Sequence, residues 1–382
     1  MINFPHLKKQ IMKSSILILL GCAISLSSFA QPLALARVGK LFGYIDQSGN
    51  MVVNPQYVNA KSFSDSRAAV LVNKKWGFID RSGRMVIDPI YDAVKPFDNG
   101  IAIVAKDKVW RYIDDQGRDI TNFPVSDKLY DFSEGLAIFR SGKNIGVFDT
   151  KGNIVVQAVY EEIKPYRNGY AKAKKYGRWG YLDRNGNEVV AFDYDDLGSY
   201  TGGATWGKKG TAFGVISNGN FKIVERCNAI WDFSEDGLAY ARIEQAIGFI
   251  DANGNWVIQP QFLKARDFVN GLAPVCFNKL WGYINVRGEW IVQPLYPDAE
   301  VFSKDGLAPV KVKQWGFIDR NGKMVIPPNY EITVGGFQIF NFNEKGFVNG
   351  FARVKSSSGW AFIDTSGNVL GNRWYSNLEL FR

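Results

Sequence analysis

The sequence predicts an all-β fold: ten tandem meanders of about 34 residues, their small sheets packed against one another as in a propeller. Three observations carry this expectation. First, a Trp-Gly pair or a close variant returns at Phe42-Gly43, Trp76-Gly77, Trp110-Arg111, Ile145-Gly146, Trp179-Gly180, Phe213-Gly214, Ile247-Gly248, Trp281-Gly282, Trp315-Gly316 and Trp360-Ala361. Eight of the nine gaps are 34 or 35 residues and the last is 45, so one supersecondary unit is copied, each copy too small to bury its own apolar face. Second, no window in the repeats holds a 3.6-residue apolar period, so almost no helix is expected. Third, the strands are apolar on both faces. In Trp76–Asp80, Trp76 and Phe78 point one way and Ile79 the other; in Gly100–Ala105, Ile101 and Ile103 oppose Ala102 and Val104. Burial on both sides suits sheets stacked between two neighbours, whereas a solenoid around a single core would show polar outward positions. Small residues such as Gly77, Ala69 and Ala102 are expected to let neighbouring sheets approach beside the tryptophan. Ten blades is a large number and 34 residues a short length for four strands, so an open β-superhelix and two smaller rings are the alternatives.

The second copy shows the grammar. Arg67–Asn73, Trp76–Asp80 and Arg84–Asp88 read as three strands. Between the last two, Asp80-Arg81-Ser82-Gly83 is a tight corner: aspartate accepts bonds from amides two residues on, and glycine takes the positive φ. The corner recurs at Asp46…Gly49, Asp114…Gly117, Asp149…Gly152, Asp183…Gly186, Asp251…Gly254, Asp319…Gly322 and Asp364…Gly367. Eight copies of one acid read as structural, since a catalytic acid occurs once. Pro89-Ile90-Tyr91 ends the third strand, because proline cannot donate to a central ladder. Tyr91–Phe97 adds a short fourth, edge strand, and Asp98-Asn99-Gly100 turns into the next copy. At the far end Trp374–Phe381 matches Ile90–Phe97, so the chain stops one residue after its tenth unit. No polar cap of a linear array is visible there, and ring closure would remove the need for one.

The first 30 residues stand outside the repeat. Lys8, Lys9 and Lys13 precede the apolar run Ile16–Leu26, which closes on Ser28-Phe29-Ala30, the layout of a secretory signal and too short for a spanning helix. Cleavage after Ala36 would remove half of the first copy's opening strand, because Pro32–Asp46 aligns with Gly271–Asn285. The expected boundaries are therefore 1–30 for the leader and 31–382 for the repeats, with Gln31 at the mature N-terminus. Secreted protein whose sequence begins at Arg37 would refute this. Leu19-Leu20-Gly21-Cys22 resembles a lipobox, which keeps a lipoprotein as an alternative, although the residues after Cys22 stay apolar. The expected location is periplasmic or extracellular, with no membrane-spanning segment after the leader is removed.

Losing the leader removes the single histidine, His6, which excludes a histidine base, a His–Asp pair and a histidine metal ligand. Lys8, Lys9 and Lys13 leave with it and no acid does, so the net charge falls from +9 to about +6. That balance is spread through the copies, apart from clusters at Lys172, Lys174, Lys175 and Arg178 and at Lys208-Lys209, and reads as a solvated surface rather than a nucleic-acid groove. Cys227 and Cys276 lie one copy apart, beyond the ~7 Å Cα limit for bridging, and read as buried free thiols.

Departures from the pattern point to function better than the pattern does. The repeat is degenerate around 193–221, where Gly203-Ala204-Thr205-Trp206 replaces the usual strand and Ser217 the corner aspartate. An insertion rich in Phe, Asn and Gly falls around 331–346. Asp193, Asp195 and Asp196 cluster in the first region. They read as a glycosidase pair, a Ca²⁺ site or a solvated turn, the last fitting best. Most tryptophans recur at strand positions and read as core. Trp206, Trp231 and Trp374 lie off that register and are the candidate ligand-surface aromatics, together with the three aspartates. No phosphate loop, nucleophile elbow or Cys-x-x-Cys is present, and no catalytic, cofactor or metal residue is assigned.

The run Lys75–Asp80…Gly83…Val86–Asp92…Phe97…Gly100–Ala102 closely resembles the bacterial WG-repeat family, and the match covers roughly residues 32–381. Arg111, Ile145, Ile247 and Ala361 depart from it in single copies. The resemblance implies exported or envelope-associated bacterial scaffolds with no established chemistry and no catalytic residues to carry over. The expected function is thus an exported, non-enzymatic scaffold binding a protein or glycan of the cell envelope. An envelope-carbohydrate hydrolase using the acids near 193–196 and a purely structural spacer are the alternatives.

Overall fold

Strand-forming runs alternate with residues that reverse the chain, and each copy becomes a small antiparallel sheet. The computed structural model describes residues 31–331 and 346–382; the expected leader, its cleavage and lipidation sites, and nearly all of the insertion lie outside them. In the second copy the long strands are Ala68–Val72, Lys75–Ile79 and Met85–Tyr91. Asn73 and Lys74, at φ 48° and 66°, close the first hairpin, the positive-φ pair that suits the twist of the flanking strands. Asp80 closes the second: its Oδ1 accepts the amides of Ser82 and Arg84 at 3.0 Å each, and Gly83 sits at φ 85°.

The Trp-Gly motif is explained by the third strand. Trp76 pairs with Tyr91 and Phe78 with Ile87, so Asp88-Pro89-Ile90 bulges over Gly77. A Cβ on Gly77 would lie 2.6 Å from the Ile87 carbonyl oxygen and 2.8 Å from the Pro89 nitrogen. Gly77 therefore faces its own sheet, which corrects the expectation that it spaces neighbouring sheets. The corner glycine does that instead: a Cβ on Gly83 would lie 2.8 Å from Val53 of the preceding copy. The two copies without the motif glycine both lack the seven-residue third strand. Beside Arg111 the third strand shrinks to Asp119–Ile120, and beside Ala361 it gives way to the 3-10 turn Leu370–Asn372, the only helical element among the described residues.

The short strand expected after each Pro-x-Tyr forms, but on the next copy's sheet: Ala93–Val94 pairs with Ala105 and Val104. Most junctions are thus a strand shared across two copies; at the entry to the second copy the pairing is the single bridge between Ala60 and Val70, and at the entry to the fourth no strand forms among the described residues. The last such segment, Asn377–Leu378, pairs with Arg37 and Ala36 of the first copy, extended by Leu33 and Arg382 exchanging backbone hydrogen bonds at 3.0 Å. Ten sheets, blades 1 to 10 in chain order, thereby close into one ring, and the open superhelix and the two-ring arrangement are set aside.

The core is not one volume but ten, one between each pair of successive blades, including blades 10 and 1. Ala102 and Val104 join blade 2, while Ile101 and Ile103 join blade 4, as their alternation predicts. A column of small residues at the second position of the Gly-x-Ala strand, such as Ala68, Ala102 and Ala239, is almost fully buried and sets the blade spacing. Aromatic pairs bridge most junctions, for example Phe78 on Phe97 at 4.8 Å and Tyr283 on Phe302 at 4.9 Å. Cys227 and Cys276 are buried free thiols. Among the described residues no helix is long and apolar enough to cross a membrane.

Candidate functional site

The motif tryptophans are less buried than the sequence suggested. Only Trp281 is buried; Trp76, Trp179, Trp315 and Trp360 are half-buried, and Trp110 is 49 % exposed. They stand at the start of the second strand, and a cation covers the ring in Trp76, Trp179, Trp281 and Trp360. Lys61 lies 5.5 Å from the Trp76 ring, Lys172 4.7 Å from Trp179, Arg266 4.5 Å from Trp281 and Arg353 4.5 Å from Trp360. Each of these cations also donates to the next blade's short-strand carbonyl: Lys61 to Val94 at 2.6 Å, Lys172 to Leu197 at 2.7 Å, Arg353 to Leu378 at 2.7 Å and Arg266 to Ala299. The four carbonyls occupy one repeat position, yet Lys61 and Arg266 precede the first long strand while Lys172 and Arg353 lie within it. The staple is structural, and burial followed by the neighbouring Lys95 pulls the Lys61 ammonium below its ordinary pKa.

Blades 6 and 7 change this margin. Where blades 2 and 3 carry Ala69 and Ile103, they carry Trp206 and Tyr240. Beside Tyr240, at the position of Lys61, stands Trp231, whose amide bonds the Tyr240 carbonyl at 3.0 Å. The Trp231 and Tyr240 rings stack at 4.7 Å and 21°. Trp206 is tied down: its indole N–H donates to Asp232 at 3.0 Å, and Asp232 also accepts the amide and hydroxyl of Ser199 at 2.8 and 2.7 Å. One blade further on, Asp267 occupies the repeat position of Asp232. Burial, then the charge of Asp232, pushes its carboxyl up to about 6. Burial and then both aspartates raise the Tyr240 phenol.

A cleft of about 440 Å³ opens here, with Trp231, Tyr240, Lys264, Arg266, Trp281 and Asp298 on its walls. Arg266 is engaged, paired with Asp298 at 3.1 Å and Glu300 at 3.2 Å as well as capping Ala299. Among the described residues, the Lys264 ammonium, the Trp231 indole N–H, the Tyr240 hydroxyl and the Asp267 carboxylate have no hydrogen-bond or ion-pair partner.

The other candidates fall elsewhere. Asp193 pairs with Lys209, Asp195 with Arg178, and Asp196 with Lys172 at 2.7 Å, so three different cations meet the three acids at the blade 5–6 margin. Trp374 is half-buried against the cluster between blades 9 and 10. Among the described residues no group of three or more His, Cys, Asp or Glu is placed to hold a metal ion. Of the aromatics singled out in the sequence, the structure brings Trp206 and Trp231 to one arc and leaves Trp374 apart. Tyr240, Asp232 and Asp267 were missed. Aligning the copies column by column would have found Tyr240, which stands where blades 2 and 3 have Ala69 and Ile103, but not the acids, whose column holds Ser62, Pro96 and Asp131 in other copies.

The pattern that defines the WG containing repeat family matches residues 42–76, 76–110, 110–144, 145–179, 179–210, 247–281, 281–314 and 315–359. Residues 211–246 are thereby left as the one sizeable unmatched stretch inside the array. No curated protein matches the chain. Among solved structures it is similar to a eukaryotic initiation factor, with a TM-score of 0.45 and 12 % identity over 77 % of this chain and 95 % of that one. It is also similar to Kluyveromyces lactis Hsv2, with a TM-score of 0.32 and 11 % identity over 65 % of this chain and 95 % of that one. A third is the dihydro-heme d1 dehydrogenase NirN in complex with DHE, with a TM-score of 0.32 and 11 % identity over 78 % and 72 %.

Proposed function

The chain belongs to the WG containing repeat family, and from that premise we propose that it is an exported, non-enzymatic scaffold that binds a protein or glycan partner in the cell envelope. A ring of blades presents positions at a fixed spacing without requiring any of them to do chemistry. The observation that carries the reading is the coincidence at blades 6 to 8: the unmatched residues 211–246 hold Trp231, Asp232 and Tyr240, and the cleft lies beside them. The Lys264 ammonium, the Trp231 indole N–H and the Tyr240 hydroxyl stay accessible on the cleft wall with no protein partner among the described residues, so they are free to meet a ligand. Export rests on the basic start, apolar run and Ser28-Phe29-Ala30 of the leader.

The test is a pull-down from native envelope with the wild-type chain and with Trp231→Ala/Lys264→Gln. A partner retained by the first and lost by the second supports the reading. Nothing retained by either favours a spacer, and equal retention moves the binding surface elsewhere.

A hydrolase is the second reading. The acids Asp193, Asp195 and Asp196 are each met by a cation, which suits a margin better than paired acid chemistry. On its side stands the raised carboxyl of Asp267 beside Asp232. Envelope-glycan cleavage that is lost in Asp195→Asn/Asp196→Asn or in Asp267→Asn would establish it.

A further inference from the structure

We propose that the cleft between blades 7 and 8 takes a carboxylate-bearing saccharide, a sugar of the uronate type. This rests on the binding-scaffold reading above and narrows it. The walls mix aromatic rings with polar groups in about equal measure, which suits a ligand that is itself part apolar and part hydroxylated. Trp231 and Tyr240 supply the accessible ring surface, with Trp281 behind Arg266, and an aromatic surface packs well against the C–H face of a pyranose. On the wall stand two isolated donors, the Trp231 indole N–H and the Tyr240 hydroxyl, with the Asp267 carboxylate close to Tyr240 but outside the lining. A sugar carries hydroxyls that accept as well as donate, and so can meet both donors.

Charge narrows the class. Arg266 is already neutralised by Asp298 and Glu300, which leaves Lys264 as the one cation on the cleft wall without a partner among the described residues. A single free ammonium matches a single carboxylate. A nucleic acid or a polyphosphate would instead face Asp232, Asp267 and Asp298 with one available cation, an unfavourable balance.

The test titrates galacturonate, its methyl ester and galactose into the full-length chain, followed by calorimetry and tryptophan fluorescence. Wild type should bind galacturonate at least tenfold tighter than the ester. Lys264→Gln, an exposed change that leaves the melting temperature unaltered, should erase that difference, and Trp231→Ala should weaken both sugars tenfold or more. Equal binding of acid and ester overturns the uronate assignment while a saccharide-binding scaffold stands. If no saccharide binds but a protein partner is retained in a cleft-dependent manner, the sugar proposal falls and the scaffold reading survives. If Lys264→Gln keeps the preference, the cleft is the wrong place.

Discussion

Blades 2 and 6 are built from the same two inner hairpin strands and turn their outer corner differently. In blade 2 a three-residue corner on Asp80 feeds a seven-residue third strand that bulges over Gly77. In blade 6 Asn218 and Gly219, at φ 50° and 76°, make a two-residue turn. The third strand there is only Asn220–Ile223 and pairs without a register shift. The shortened corner leaves blade 6 without the Pro-x-Tyr segment, and the chain enters blade 7 through Trp231. Regular blades are thus defined by how the third strand sits on the second. The irregular arc relaxes that rule while keeping the small column, with Thr205 fully buried in place of alanine. Blade spacing is conserved physically even where blade decoration changes.

The largest effect should come from Gly77→Val. Its Cβ meets backbone atoms at 2.6 and 2.8 Å that no side-chain rotation can move, so a loss of about 3 kcal/mol or more, or failure to fold, is expected in urea titrations. Gly100→Ala is the control. Its φ is 75° but its Cβ meets nothing within 4 Å, so it should cost only about 1 kcal/mol. Gly214→Val breaks or sharpens the comparison. Blade 6 has no bulge, yet a Cβ there lies 2.4 Å from the Lys222 carbonyl oxygen. A loss as large as in blade 2 would show that close carbonyl approach, not the bulge itself, demands glycine.

Acids in the two regions should give opposite pH dependence. Burial, then the Asp232 charge, pushes the folded Asp267 carboxyl up to about 6 from the ordinary 3.8. Its ionisation therefore opposes folding: the penalty is absent below the unfolded value, grows as pH rises from about 4 to 6, and is complete above. Asp267→Asn should raise stability at pH 8 by up to about 3 kcal/mol and leave it unchanged near pH 3. For Asp80, partial desolvation works against the charge, but hydrogen bonds from Ser82 and Arg84 outweigh it and lower the pKa. Its contribution is present above the unfolded value and is lost as pH falls through the folded one. Asp80→Ala should cost about 1 kcal/mol at pH 7 and little in acid. Equal slopes for the two variants would contradict the electrostatic contrast.

Much of this contrast was legible in advance. Period, corner and two-sided apolar strands specify blades because each is a local rule repeated until chance is excluded, and Ser217 marked blade 6 as different. Gly77 was misread because the bulge that needs it is made by Asp88-Pro89-Ile90, eleven to thirteen residues away. Only the pairing register shows that these atoms meet. The motif tryptophans were misread for another reason. Recurrence at a strand position looks the same whether neighbours bury a ring or a cation covers it. Trp206 and Trp231 stood out because they broke the register, whereas Asp232 and Asp267 did not, since single acids in a junction are unremarkable until folding sets them beside Tyr240.

The smallest expected effect concerns the cation staple, and it separates the two regions most cleanly. In blade 2 the Lys61 ammonium is held between the Trp76 ring and the Val94 carbonyl of blade 3. In blade 6 Lys208 lies 5.4 Å from the Phe213 ring with no such carbonyl bond. A double-mutant cycle of Lys61→Met with Trp76→Leu should give a coupling of about 0.5–2 kcal/mol, because the charge is partly desolvated and the partners touch. The same cycle on Lys208 and Phe213 should give less than about 0.5 kcal/mol, the level of additive sites. If the two couplings are equal, the cation–ring contact alone sets the value and the interblade carbonyl adds nothing. If only blade 2 couples, the tryptophan serves to aim a cation at the next blade, which is why it tolerates partial exposure in a position that a pure core residue would not.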